Sequence, residues 1–221
     1  LFDPQHIGIL APNYRGGSDR GEKFASYTHA GVGTVDYDDI ITLVSEGIKL
    51  GLVDPGRIIV GGWSQGGWSQ GGILSYLLAT RRNIEAKIGD WKIRGAICGA
   101  GGTDLNMLCL TSDKPYMEAD MIGGPPWDAS RDDSIADNAS ANMRIRRPGA
   151  AEKMPRILIL HNKEDRRVPV SQATAFHTAC KAYGVEVEMA VYPREVHLVR
   201  ERAHLVDLLE RMKKFCERLL S

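Results

Sequence analysis

"RIIVGGWSQGGWSQGGILSYLLAT", residues 57–80, decides the fold. Its opening, Arg57–Trp63, is short, β-branched and apolar on both faces, as a strand covered from two sides must be. Its close, from Ile73 to Thr80, has helical spacing. Between them one pentapeptide occurs twice, as Gly62-Trp63-Ser64-Gln65-Gly66 and Gly67-Trp68-Ser69-Gln70-Gly71. Each copy sets a serine between glycines at Gly-x-Ser-x-Gly spacing. A strand, a sharp turn and a helix in that order form a nucleophile elbow, which exposes a serine hydroxyl above the sheet. Side chains two positions either side of the serine would collide where strand and helix cross, so glycine is required there. The amide of the next residue, at the helix N-terminus, can face a developing oxyanion.

Outward from the elbow, strands and helices alternate. Further strands are expected at 6–11 (HIGILA), 93–99, 156–161 and 185–192. Helices are expected at 36–50, 171–183 and 202–220. Tyr37, Ile41, Val44 and Ile48 form one apolar face in the first, and Leu205, Leu208, Leu209, Met212 and Phe215 in the last. This order predicts an α/β fold, a mainly parallel sheet with helices on both faces. Residues 111–155, rich in proline, glycine and charge, read as a lid-like excursion within one domain spanning 1–221.

The 221 residues suffice for one buried core, and 28 basic residues balance 28 acidic ones. That balance, without a basic stripe, gives a nucleic-acid partner no electrostatic support. No apolar run is long enough for a membrane span. Cys98, Cys109, Cys180 and Cys216 form no Cys-x-x-Cys pair and read as free thiols in a reducing compartment, hence an expected cytoplasmic location. The chain opens on Leu1 rather than methionine, which points to missing upstream sequence. No metal-ligand spacing and no phosphate loop occur, so no cofactor is expected.

A serine nucleophile needs a base and an orienting acid, and both should follow later strands. Asp165 lies in the turn "HNKEDRRVPV" (161–170), and His197 in "YPREVHLVRE" (192–201). Serine, aspartate, histidine is the chain order of α/β-hydrolases. Glu164, His161 and His204 compete less well on placement.

These segments resemble the catalytic domain of the prolyl oligopeptidase family of serine peptidases, especially its acylaminoacyl-peptidase and dipeptidyl-peptidase-like branches. "LAPNYRGGSDRGEKF" (10–24), "VDPGRIIVGGWSQGG" (53–67), "ILILHNKEDRRVPVSQATAF" (157–176) and "YPREVH" (192–197) carry the similarity. The resemblance implies an α/β-hydrolase fold and hydrolysis of peptide or acyl-peptide bonds through an acyl-enzyme. It makes Asp165 the acid, His197 the base, and Arg167 a substrate-binding residue. It leaves room for a homo-oligomer. Asn162 and Val196 stand where the family usually has glycine. The family's first two strands are missing, as is the strand that carries an oxyanion loop between the equivalents of 6–11 and 57–63. The neighbours of that last strand must therefore close up or leave backbone groups unpaired.

The repeat leaves two candidate nucleophiles. Counted from the strand, Ser64 is in register with the family; counted from the helix, Ser69 is. Lengthening the strand by five residues would exchange its faces, and lengthening the helix would turn it by roughly 140°. A bulge at the elbow preserves both. The central strand favours Ser64, with Gln65 offering the oxyanion amide; with Ser69, Gln70 would offer it. Trp63 is a candidate wall of the acyl pocket. The alternatives are a carboxylesterase on the same triad, or a binding domain without turnover.

Overall fold

The computed structural model describes residues 7–64, 70–87 and 90–220. Four parallel strands, β1 (Ile58–Trp63), β2 (Ile93–Gly99), β3 (Arg156–Asn162) and β4 (Val187–Tyr192), lie side by side in chain order. Trp63 is opposite Gly99, Gly99 opposite Leu160, and Asn162 opposite Tyr192. The carboxyl ends of β1, β3 and β4 therefore open on one edge of the sheet, where ligand sites of such sheets lie.

The helices are α1 (Glu22–Ala25), α2 (Val35–Lys49), α3 (Gly71–Glu85), α4 (Leu105–Thr111), α5 (Pro115–Met121), α6 (Asp133–Ala139), α7 (Ala141–Ile145), α8 (Ser171–Ala182) and α9 (Arg202–Leu220). One core packs α2, α3, α8 and the short helices on the first face of the sheet. A smaller core on the other face joins Leu208, Phe215 and Leu219 of α9 to Ile97, Leu158 and Leu160. Helices on both faces explain why residues 95–99 of β2 and 157–160 of β3 are small or apolar and buried at every position. The whole apolar side of α3 is sealed: Ile73, Tyr76 and Leu77 have no exposure, and Tyr76 meets Phe176 edge to face at 5.0 Å. That burial holds the helical arm of the elbow still. Cys98, Cys109 and Cys180 are buried, and all four cysteines are unbridged.

Four of the five expected strands form, within two residues of their expected ends. The fifth does not: described residues 7–11 join no ladder, and Ile9 and Leu10 are exposed. A strand exists only against a partner, and no described segment pairs with 7–11 or with the outer side of β1. Among the described residues, no strand closes up onto the outer side of β1. In α9, Leu205 and Leu209 are exposed, and burial shifts toward Leu219 and Leu220. The excursion between β2 and β3 is neither loose nor outside the core. Within 111–155, Ala119, Met121, Ile122, Ala136, Ala139 and Ile145 are buried in that core.

Candidate active site

The elbow is built from the strand side of one repeat and the helix side of the other. Ser64 continues the ladder of β1, its N–H donating to the Gly99 carbonyl at 2.9 Å, and then turns sharply with φ +70°. A non-glycine residue at positive φ is strained, and such strain collects at functional sites. The Ser64 carbonyl accepts from the Gly72 N–H at 2.7 Å. A Cβ on Gly62 would lie 2.0 Å from the Gly71 carbonyl oxygen, and one on Gly72 would lie 2.4 Å from that of Ser64. The steric need for glycine is thus met by Gly62 from the first copy, by Gly71 from the second, and by Gly72 just after it. Gln65 and Ser69 lie outside the described residues. The Gln70 N–H donates to the Tyr14 hydroxyl at 3.2 Å. Its side chain is buried, and neither amide atom has a hydrogen-bond partner among the described residues.

Asp165 sits in the turn after β3 with its side chain fully buried. One oxygen, Oδ1, accepts the N–H groups of Arg167 and Val168, each at 2.9 Å. The other, Oδ2, is 2.8 Å from Nδ1 of His197. A buried carboxylate is costly unless hydrogen-bonded, and both oxygens here are engaged. His161 is a buried neighbour whose Nε2 is 2.8 Å from the Val168 carbonyl oxygen. Burial pushes the His161 imidazole below its ordinary pKa, which suits this structural role.

His197 closes the arrangement. Its Nε2 lies 2.5 Å from Oγ of Ser64. With Nδ1–H pointing at Asp165, Nε2 is left as the acceptor for the serine proton. The imidazole is 22% exposed, so it is reachable from solvent while the aspartate behind it is not. Ser64, His197 and Asp165 therefore form one continuous hydrogen-bonded chain.

Two of the remaining candidates have other engagements. The Arg167 guanidinium pairs with Asp113 at 2.8 Å, tying the excursion to the acid loop. The Trp63 ring packs over Gly99, where a Cβ would come within 2.2 Å of it. Its indole N–H donates to the His197 carbonyl at 3.1 Å. Sequence reasoning missed that second function, because nothing along the chain relates position 63 to position 197. It also missed Glu195, which is buried and holds the histidine turn in shape. Its carboxylate accepts the N–H groups of Arg200 (2.9 Å) and Glu201 (2.8 Å) and lies 2.9 Å from Nδ1 of His204. The carboxylates of Glu195 and Glu201 and the His204 imidazole converge, with ligand atoms within 4.8 Å of one another. Both Glu195 oxygens are already committed to nitrogen donors, so the trio serves as an anchor for the turn. Asn162 and Val196, the two departures from the family pattern, meet: the Asn162 amide donates to the Val196 carbonyl at 2.5 Å.

A parallel sheet crossed by helices on both faces, with this serine, histidine and aspartate joined above its strand ends, defines an α/β-hydrolase-fold protein of the serine hydrolase class. The chain belongs to the prolyl oligopeptidase family, whose model matches residues 3–221. It is 30% identical over 199 residues to dipeptidyl-peptidase 5 of Porphyromonas gingivalis, covering 90% of this chain and 27% of that protein. It is 25% identical over 195 residues to acylamino-acid-releasing enzyme 1 of Oryza sativa subsp. japonica, covering 87% of this chain and 24% of that one. Among solved structures, a puromycin-hydrolyzing peptidase of Mycobacterium tuberculosis superposes with a TM-score of 0.80 at 20% identity, covering 95% of this chain and 29% of that one. An acylaminoacyl peptidase of Pyrococcus horikoshii gives 0.78 at 22% identity, covering 94% and 31%. The chain thus spans roughly a quarter to a third of these relatives' lengths. Among the described residues no helix is long and apolar enough to cross a membrane.

Proposed function

We propose that this domain hydrolyses peptide or acyl-peptide bonds through an acyl-enzyme formed on Ser64. The reading rests on one observation, the unbroken chain from Ser64 Oγ through His197 to the buried Asp165. His197 takes the serine proton as Oγ attacks the scissile carbonyl, and returns it to the leaving amine. A water then repeats the sequence on the acyl-enzyme. Asp165 holds the imidazole in the tautomer that leaves Nε2 open, and steadies the imidazolium that forms. The strained backbone of Ser64 supports its choice over Ser69, since it presents the hydroxyl at the tip of the turn. The substrate class follows the names of the relatives, a dipeptidyl peptidase and an acylamino-acid-releasing enzyme.

A fluorophosphonate probe tests the assignment. Labelling should vanish in Ser64→Ala and persist in Ser69→Ala; the reverse pattern transfers the nucleophile to Ser69. Asp165→Asn should slow turnover by about 10⁴-fold with the fold intact. Faster cleavage of acyl-amino-acid anilides than of p-nitrophenyl esters, judged against general esterases, would mark a peptidase. Absence of labelling in folded protein would overturn the enzymatic reading.

A further inference from the structure

The histidine loop is held by its backbone from two directions. The carbonyls of Val196 and His197 are consecutive, and each accepts a side-chain N–H. One comes from Asn162, the last residue of β3, and the other from Trp63, the last residue of β1. β3 delivers Asp165 three residues later, and β1 delivers Ser64 in the next position. The strand that carries each triad partner therefore also grips the loop that carries the histidine. Asn162 is fully buried, and its Oδ1 has no partner among the described residues. A buried polar atom left unpaired costs about 1–3 kcal/mol. An apolar side chain at the end of β3 would take away the N–H that the Val196 carbonyl accepts.

We infer that Asn162 and Trp63 are positioning residues, which fix the His197 imidazole between Ser64 and Asp165 by clamping the consecutive carbonyls of Val196 and His197. The inference builds on the proposed triad. Neither side chain is a link in the hydrogen-bonded chain from Ser64 through His197 to Asp165. Their effect is on geometry, and a displacement of the base by about 1 Å can cost on the order of a hundredfold in rate.

Three variants test it: Trp63→Phe, which keeps a ring and removes the indole N–H; Asn162→Gly; and Asn162→Ala, in case the glycine variant folds poorly. Two readouts are taken on each, for protein whose thermal midpoint confirms folding. Amide hydrogen exchange of residues 193–200 follows the loop whether or not the protein turns over. The fluorophosphonate labelling rate, with kcat and KM on an anilide, follows the base. Exchange should accelerate in each variant. Labelling and kcat should fall about tenfold in each single variant and about a hundredfold in the Trp63→Phe, Asn162→Ala double variant, with KM unchanged. Unchanged exchange overturns the clamp. Faster exchange with wild-type labelling and kcat overturns the positioning role, as does a rise in KM at constant kcat. An unlabelled parent would overturn the triad reading, and exchange would then decide the clamp alone.

Discussion

Removing residues 65–69 should leave the elbow working and make the protein slightly more stable. The strand arm ends on Ser64, whose N–H is bonded to Gly99, and the helix arm begins on Gln70. The two arms are joined directly by the Gly72 N–H to Ser64 carbonyl bond of 2.7 Å. After the deletion Ser64 precedes Gln70, and that bond becomes an ordinary i+3 to i turn. The loop it closes shortens from about eight residues to about three. With a closure entropy of (3/2)RT ln n, the gain is about 1 kcal/mol. For a domain of this size that raises the midpoint of thermal unfolding by about 2–4 °C. The Gln70 amide then directly follows the nucleophile, so fluorophosphonate labelling should be at least as fast as in the parent. Calorimetry and labelling kinetics on the two proteins decide the matter. A deletion variant destabilised by several kcal/mol, or one that folds and no longer labels, would refute the argument that the two arms are anchored independently of the segment between them.

Two other expectations follow from local structure. Gly62→Ala drives a Cβ to within 2.0 Å of the Gly71 carbonyl oxygen, and backbone on both sides cannot yield. It should cost about 3 kcal/mol or more by denaturant unfolding and abolish labelling; a neutral substitution would mean that strand and helix do not cross there. Asp36 is buried in the first turn of α2, accepts the N–H groups of Gly33 and Tyr37, and is pushed from the ordinary 3.8 up to about 6 by burial. A carboxyl raised in the folded state favours folding while protonated, so stability is greatest below pH 3.8 for this group and is lost as pH rises through about 6. At ~1.36 kcal/mol per pH unit the full loss is about 3 kcal/mol. The difference in unfolding free energy between wild type and Asp36→Asn should therefore change by about that amount between pH 3 and pH 8, whereas a constant difference would mean that Asp36 titrates normally.

Much of the candidate site was legible along the chain because the turns after parallel strands gather along one edge of the sheet. Asp165 and His197 could be picked from the turns after two apolar runs without knowing any contact. What was not legible depends on pairs far apart in sequence. The strand expected at 6–11 failed because apolar alternation describes a segment able to pair, and pairing needs a neighbour. The grip of Trp63 and Asn162 on the histidine loop spans 134 and 34 residues, with no periodicity to betray it. Asn162 and Val196 looked like separate departures from a family pattern; in three dimensions they are two ends of one hydrogen bond.

The duplicated pentapeptide draws the same line most sharply. From the sequence came the strand, the helix, the glycines and a serine at the turn between them. Which serine could not follow from it, because looping five residues out at any point of an exact tandem repeat leaves the same six letters, GWSQGG, at the elbow. Tertiary structure broke that degeneracy. Gly62 and Trp63 are held in the ladder against Cys98 and Gly99, and the sealed core side of α3 fixes Gly71 and Gly72. With both arms pinned, the surplus falls between Ser64 and Gln70, and Ser64, at the end of the strand arm, lies 2.5 Å from Nε2 of His197.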